Sequence, residues 1–195
     1  MAVLRVIVLA VGLLGLVACG DDTDSAVASP SPTSASTGGE GLDVTVTNAA
    51  GTALGTVSLT EAPGLVTVRA QLNSLARGVY GFHFHTTGLC EAEAPDGPFT
   101  TAGGHYNPDA APHGQHAGDL PPLFVPESGA VDVTFQTDRF TIGELTEGDG
   151  SALVIHEGPD NLANIPERYV PMPDEMTLGT GDSGARQACG PITPA

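Results

Sequence analysis

An all-β domain, an antiparallel β-sandwich or barrel, is the fold class that this sequence predicts. Apolar and polar residues alternate in short runs, Gly, Pro and Asn punctuate the gaps, and no convincing amphipathic helix is found. Neighbouring side chains on a strand point to opposite faces, so period-two alternation marks strands with one face in a core. Leu42, Val44 and Val46 alternate first, followed by Val57 and Leu59, then Val66, Val68 and Ala70. Tyr80, Phe82 and Phe84 continue the series, then Val131, Val133 and Phe135, the run Ala152 to His156, and Ala185 to Ile192. Two long stretches break it, Thr86 to about Pro126 and Glu157 to about Ser183. Loops of that length in a compact domain mark a misassigned element or a functional site. The first contains His105, His113, His116, Asp119 and Cys90, and the second leads from His156 to Arg186 and Cys189. Both are therefore expected to fold around a metal site.

The N-terminal region sets the expected compartment. Met1 to Arg5 carries one positive charge, and Val6 to Val17 is an apolar run of twelve residues. That run is too short to span a bilayer but suits the apolar region of a secretory signal. It ends at Leu16-Val17-Ala18-Cys19, which resembles the lipobox of bacterial lipoproteins, whose cysteine is diacylated and starts the mature chain. The resemblance implies a signal peptide over 1–18, a lipid on Cys19, and a place in the bacterial cell envelope, membrane-anchored and facing away from the cytoplasm. Two acyl chains suffice for stable anchoring. After Cys19, residues 20–41 are almost all Ser, Thr, Ala, Pro, Asp and Gly with almost nothing to bury, so 19–41 reads as the lipidated cysteine and a disordered tether before a domain over 42–195. Three cysteines in an exported chain leave one unpaired. If Cys19 takes lipid, Cys90 and Cys189 remain to pair in an oxidising compartment. Such a bridge would close a loop of about 100 residues, worth ~4–5 kcal/mol in the chain-entropy model.

Composition narrows the partners. The basic residues are six arginines with no lysine, against 23 acids, for a net charge of −17. Binding to phosphate is driven by Lys and Arg, so nucleic acid and anionic head groups are poor partners for this chain.

All six histidines stand where a metal site can use them. His83 and His85 share one strand face, with Cα atoms roughly 7 Å apart, while Phe82 and Phe84 point to the core. His105, His113 and His116 lie in the first long loop, and His156 ends a strand-like run. Imidazole is the commonest ligand for copper and zinc, and few other roles need so many convergent copies.

These segments resemble the copper,zinc superoxide dismutases, specifically the exported bacterial members. Gly81-Phe82-His83-Phe84-His85-Thr86-Thr87-Gly88-Leu89-Cys90 is similar to the first copper motif, and Ala102-Gly103-Gly104-His105-Tyr106-Asn107-Pro108 to the segment with the bridging histidine. His116-Ala117-Gly118-Asp119-Leu120 resembles the zinc segment, and Gly181 to Gly190 the C-terminal signature. The resemblance spans about 42 to 192 and implies a Greek-key β-barrel or sandwich. It implies copper on His83, His85, His105 and His156, and zinc on His105, His113, His116 and Asp119. Four nitrogens suit tetragonal Cu(II), and three imidazoles with a carboxylate make a closed zinc set. It further implies that Asp160 hydrogen-bonds a copper and a zinc histidine, that Cys90 and Cys189 are bridged, and that Arg186 orients a small anion beside copper.

The activity implied is superoxide dismutation. Cu(II) oxidises one superoxide, Cu(I) reduces another, and His105 leaves copper on reduction and carries a proton. The alternative is a non-enzymatic copper-storage domain, which would have no need of Arg186. The resemblance leaves the oligomeric state open, a homodimer included, because the family dimerises through different surfaces in different branches. Only Gly114 and Gln115 separate His113 from His116, fewer than in the eukaryotic members, so a short turn must aim both rings at one ion. The anionic substrate meets an acidic protein, and local attraction to Arg186 is expected to win because salt screens charges beyond about 8–10 Å.

Overall fold

The computed structural model describes residues 41–194, so the signal peptide over 1–18, Cys19 and all of the tether but its last residue lie outside the described residues. The described residues form β1 (Gly41–Asn48), β2 (Ala53–Ala62), β3 (Leu65–Leu72), β4 (Gly78–Tyr80), β5 (Phe82–His85), β6 (Leu123–Val125), β7 (Val131–Thr137), β8 (Ser151–His156) and β9 (Arg186–Ile192). Every pairing is antiparallel. Seven strands make one curled sheet in the order β5-β8-β9-β1-β2-β3-β7, and β4 pairs with β6. After the β1-β2-β3 meander the chain passes to β4 and β5, then β6, and β7 returns to lie beside β3. That return is a Greek-key connection.

Alternation dictates the core. Val44 and Val46, Val57 and Leu59, and Val66, Val68, Ala70 and Leu72 are all buried in one apolar cluster. Between β1 and β2 the register shifts at Val46/Thr47, opposite Gly55. Gly55 has φ +144°, and a Cβ there would lie 2.1 Å from the Gln71 carbonyl, so only glycine fits this bulge. On β7 the expected inward set is incomplete: Val131 is buried, but Val133 is exposed and Phe135 only half-buried. This strand is the edge of the large sheet, where one flank has no neighbour.

Strand β8 is buried at every position because it sits between β5 and β9 and is covered on both faces. Leu153 and Ile155 join the main core, whereas Ala152 and Val154 pack with Phe99, Ala102 and Cys189 in a second small cluster. The second cluster is supplied by the first long loop folding back over the sheet. The loops are not wholly irregular, as the sequence suggested. They contain β6, a 3-10 turn (Thr100–Ala102) and α2 (Glu175–Gly179), and α1 (Ile142–Leu145) precedes β8. A capping box starts α1, with Thr141 accepting from the Glu144 N–H and Glu144 accepting in return from the Thr141 N–H.

Candidate metal centre

Strand β5 points Phe82 and Phe84 into the core and His83 and His85 to the opposite face, as the alternation requires. His83 is level with Val154 of β8 and His85 with Ala152. The first loop runs back along the free edge of β5: Tyr106 N–H donates to Phe84 O at 2.8 Å, and Phe84 N–H to Gly118 O at 2.9 Å. This sets His105 opposite His85 and Asp119 opposite His83. His156 ends β8, where a register shift pairs it with Arg186 of β9.

Side chains from these segments converge in two groups. One nitrogen each from His83, His85, His105 and His156 lie within 4.8 Å of one another, as do one donor atom each from His105, His113, His116 and Asp119. His105 belongs to both. Its Nδ1 faces Asp119 Oδ1 at 2.8 Å and His116 Nδ1 at 3.3 Å, which leaves Nε2 for the first group.

Outward hydrogen bonds select which nitrogen each ring offers. His85 Nδ1 donates to Gly103 O at 2.9 Å and His156 Nδ1 to Gly184 O at 3.0 Å, so both direct Nε2 inward, where the two atoms are 3.3 Å apart. Asp160 takes His83 Nε2 on one oxygen at 2.7 Å and His113 Nε2 on the other at 2.8 Å. Gly181, at φ +72°, backs onto this pair, and a Cβ there would lie 2.4 Å from Asp160 Oδ1. His83 Nδ1, His105 Nε2 and His113 Nδ1 are buried without a hydrogen-bond partner. Such orphaned atoms cost ~1–3 kcal/mol each unless something else pairs with them. A cation accepting all these lone pairs removes the cost, so the donor set fits four-nitrogen Cu(II) and a three-nitrogen, one-oxygen zinc.

Electrostatics prepare the rings as neutral ligands. Burial lowers the pKa of His83, His85 and His116, and pushes His156 down to about 3. Burial would raise Asp119, but the hydrogen bond from His105 and the neighbouring histidines outweigh it and hold the carboxyl down to about 2. For Asp160, likewise, hydrogen bonds from His113 and His83 outweigh burial and keep it ionised. His113 alone is raised, by its bond to Asp160.

The short spacing between His113 and His116 is solved by a turn. Gln115 N–H donates to Pro112 O at 3.0 Å, with Gly114 at φ +83° in the position where a type II turn demands glycine. Asp119 Oδ2 clasps the turn by accepting from Gly114 N–H at 2.7 Å and His116 N–H at 3.1 Å.

A cleft of about 250 Å³ opens onto His85, His105 and His156 and is walled by Thr100, Ala185 and Arg186. Arg186 is fixed by donating to Phe99 O at 2.6 Å and Gly103 O at 2.5 Å. Cys90 and Cys189 are bridged, which ties the loop that carries those carbonyls to β9. The sequence reading did not identify the carbonyls of Gly103 and Gly184, because main-chain acceptors leave no trace in residue type. It also missed Ser183, buried beside Asp160 at 3.4 Å, and Arg139, which reaches the His116 carbonyl in the second group from a distant turn.

Residues 53–192 match the model of the family described as copper/zinc superoxide dismutase (SODC). A Superoxide dismutase [Cu-Zn] of Mycobacterium tuberculosis is 41% identical over 172 residues, covering 80% of this chain and 72% of the relative. The solved Cu/Zn superoxide dismutase from Brucella abortus superposes with a TM-score of 0.63 at 30% identity, covering 78% of this chain and 99% of that one. A SOD-like protein from Bacillus subtilis superposes equally, at 31% identity over 77% of this chain and 97% of that one. With its strand order, its two histidine groups and these matches, the chain belongs to the copper/zinc superoxide dismutase family.

Proposed function

We propose that this domain dismutes superoxide at the bacterial cell envelope, with copper on His83, His85, His105 and His156 and zinc on His105, His113, His116 and Asp119. The observation that carries this reading is the division of His105, with Nδ1 toward Asp119 and Nε2 toward the group that shares a cleft with Arg186. Bound copper supplies a one-electron couple that takes an electron from one superoxide and returns it to a second, so that two superoxides and two protons become O₂ and H₂O₂.

The chain's own groups do the rest. Arg186 stays cationic despite partial burial, draws the anion into the cleft, and orients it through a guanidinium whose own position is set by two carbonyls. His105 takes up and hands on a proton at Nε2, since its Nδ1 side is occupied by the Asp119 group. Asp160 fixes the ring planes of one histidine from each group, and loss of such a partner costs 10–100-fold in metal affinity or activity in comparable sites. The envelope location, the signal peptide over 1–18 and the tether over 19–41 are supported by the lipobox-like Leu16-Val17-Ala18-Cys19 and by the Cys90–Cys189 bridge, since disulfides persist outside the reducing cytosol.

Metal analysis of the purified chain beside a superoxide-consumption assay tests this reading. One copper and one zinc per chain are expected, with activity lost on copper removal and Cys19→Ser releasing the protein from membranes. Copper without activity would make it a storage domain, and activity with copper alone would remove the zinc assignment.

A further inference from the structure

The arginines of this acidic chain are mostly accounted for. Arg69 pairs with Asp132 at 3.0 Å and Arg77 with Glu127 at 3.1 Å, Arg168 lies over the Tyr169 ring, and Arg186 lines the copper cleft. Arg139, like Arg168 and Arg186, has no ion pair among the described residues, in a chain of net charge −17. Its Nη1 donates instead to the carbonyls of His116 at 3.2 Å and Asp119 at 3.5 Å. Both carbonyls belong to residues of the zinc group. Arg139 itself sits in the turn after β7, where its N–H donates to Thr137 Oγ1 at 3.2 Å. The next residue, Phe140, is buried edge-on against Phe84 with centroids 5.1 Å apart. The guanidinium therefore reaches the zinc loop from a root anchored in the core.

Beside this contact lies a second cavity of about 220 Å³, lined by His113, Asp119, Asp160, Arg139, Pro121 and Leu162 among others. It shares no lining residue with the copper cleft. His113 and Asp119 thus border a cavity whose lining includes none of His85, His156 or Arg186.

We propose that Arg139 latches the zinc loop and that the cavity it borders is a separate metal portal, through which zinc exchanges independently of copper. The proposal rests on the zinc assignment made above. Release of an ion requires the turn at His113–His116 and Asp119 to move apart. Asp119 Oδ2 holds that turn from inside, and Arg139 holds the carbonyls of its last residue and of Asp119 from outside. A charged donor strengthens a hydrogen bond relative to a neutral one, so the outer latch adds to the inner restraint.

The test follows zinc release to a chromogenic chelator and copper release to a copper-selective one, from the full chain loaded with both metals. Arg139→Gln is expected to release zinc about tenfold faster, at the lower end of what loss of a supporting partner does to metal sites. Arg139→Lys, which keeps a charged donor, recovers most of the loss, and Leu162→Trp at the cavity rim slows zinc release. Copper release stays at the wild-type rate in all three. Zinc leaving Arg139→Gln at the wild-type rate overturns the proposal, and so does a parallel rise in copper release, which would mean general loosening. A wild-type chain that takes up no zinc overturns the zinc assignment itself, before any variant is compared.

Discussion

All six imidazoles are buried around one another, which without a cation is an expensive arrangement. Four of them, His83, His85, His116 and His156, are lowered in pKa by burial, so the unfolded chain binds protons that the folded chain rejects. A group whose pKa falls on folding loses stability as pH drops from its unfolded value, about 6.5 for histidine, toward its folded one. His156, folded value about 3, contributes roughly 1.4 kcal/mol of loss per pH unit across that window. Asp119 and Asp160 add to the loss below about pH 4, because their carboxylates are depressed. His113 works in the opposite sense, being raised by Asp160, and offsets only part of it. The metal-free domain should therefore become steadily less stable to urea between pH 6.5 and pH 3.5. A flat stability profile over that range would show that the histidine cluster opens to water when no ion is bound.

Among the elements, β5, β8 and β9 form a rigid floor and the two long loops a roof. The bridge between Cys90 and Cys189 fastens roof to floor, across a sequence separation of 99. A closed loop of that size stabilises by ~4–5 kcal/mol in the chain-entropy model. Cys90→Ala is then expected to lower Tm by roughly 10–15 °C, from the 2–4 °C per kcal/mol typical of this chain length. Activity should fall as well, because Phe99 and Gly103, the acceptors that hold Arg186, ride on the same loop. Thermal unfolding with and without reductant measures the first effect; an unchanged Tm would mean the loop holds itself. The strands on the main core were legible because each buries one face and so alternates. Strand β6 was not, being three residues with Phe124 exposed between Leu123 and Val125. Helices α1 and α2 are single turns too short for a helical period, although Thr141-Ile142-Gly143-Glu144 carries the capping-box spacing that could have revealed the first.

On the scale of the whole molecule, a net charge of −17 opposes a substrate anion that a single arginine attracts. Among the described residues, Arg186 is the only arginine lining the cleft beside His85, His105 and His156, which Asp96 also lines. Distant carboxylates act through solvent and are screened within about 8–10 Å, whereas the guanidinium lines the cleft itself. Dismutation should accordingly slow as salt rises; a rate that climbs with ionic strength would show the global charge dominating. Alternation and side-chain chemistry are local properties, so the strands with one buried face, the donors available to a metal and the segments that carry them could be read from residue order. Which nitrogen each histidine offers, how the two-residue gap between His113 and His116 closes, and that Arg139 reaches the His116 and Asp119 carbonyls emerged only from the folded chain. Those outcomes depend on main-chain carbonyls and on contacts between residues far apart in the chain, which residue identity does not encode locally.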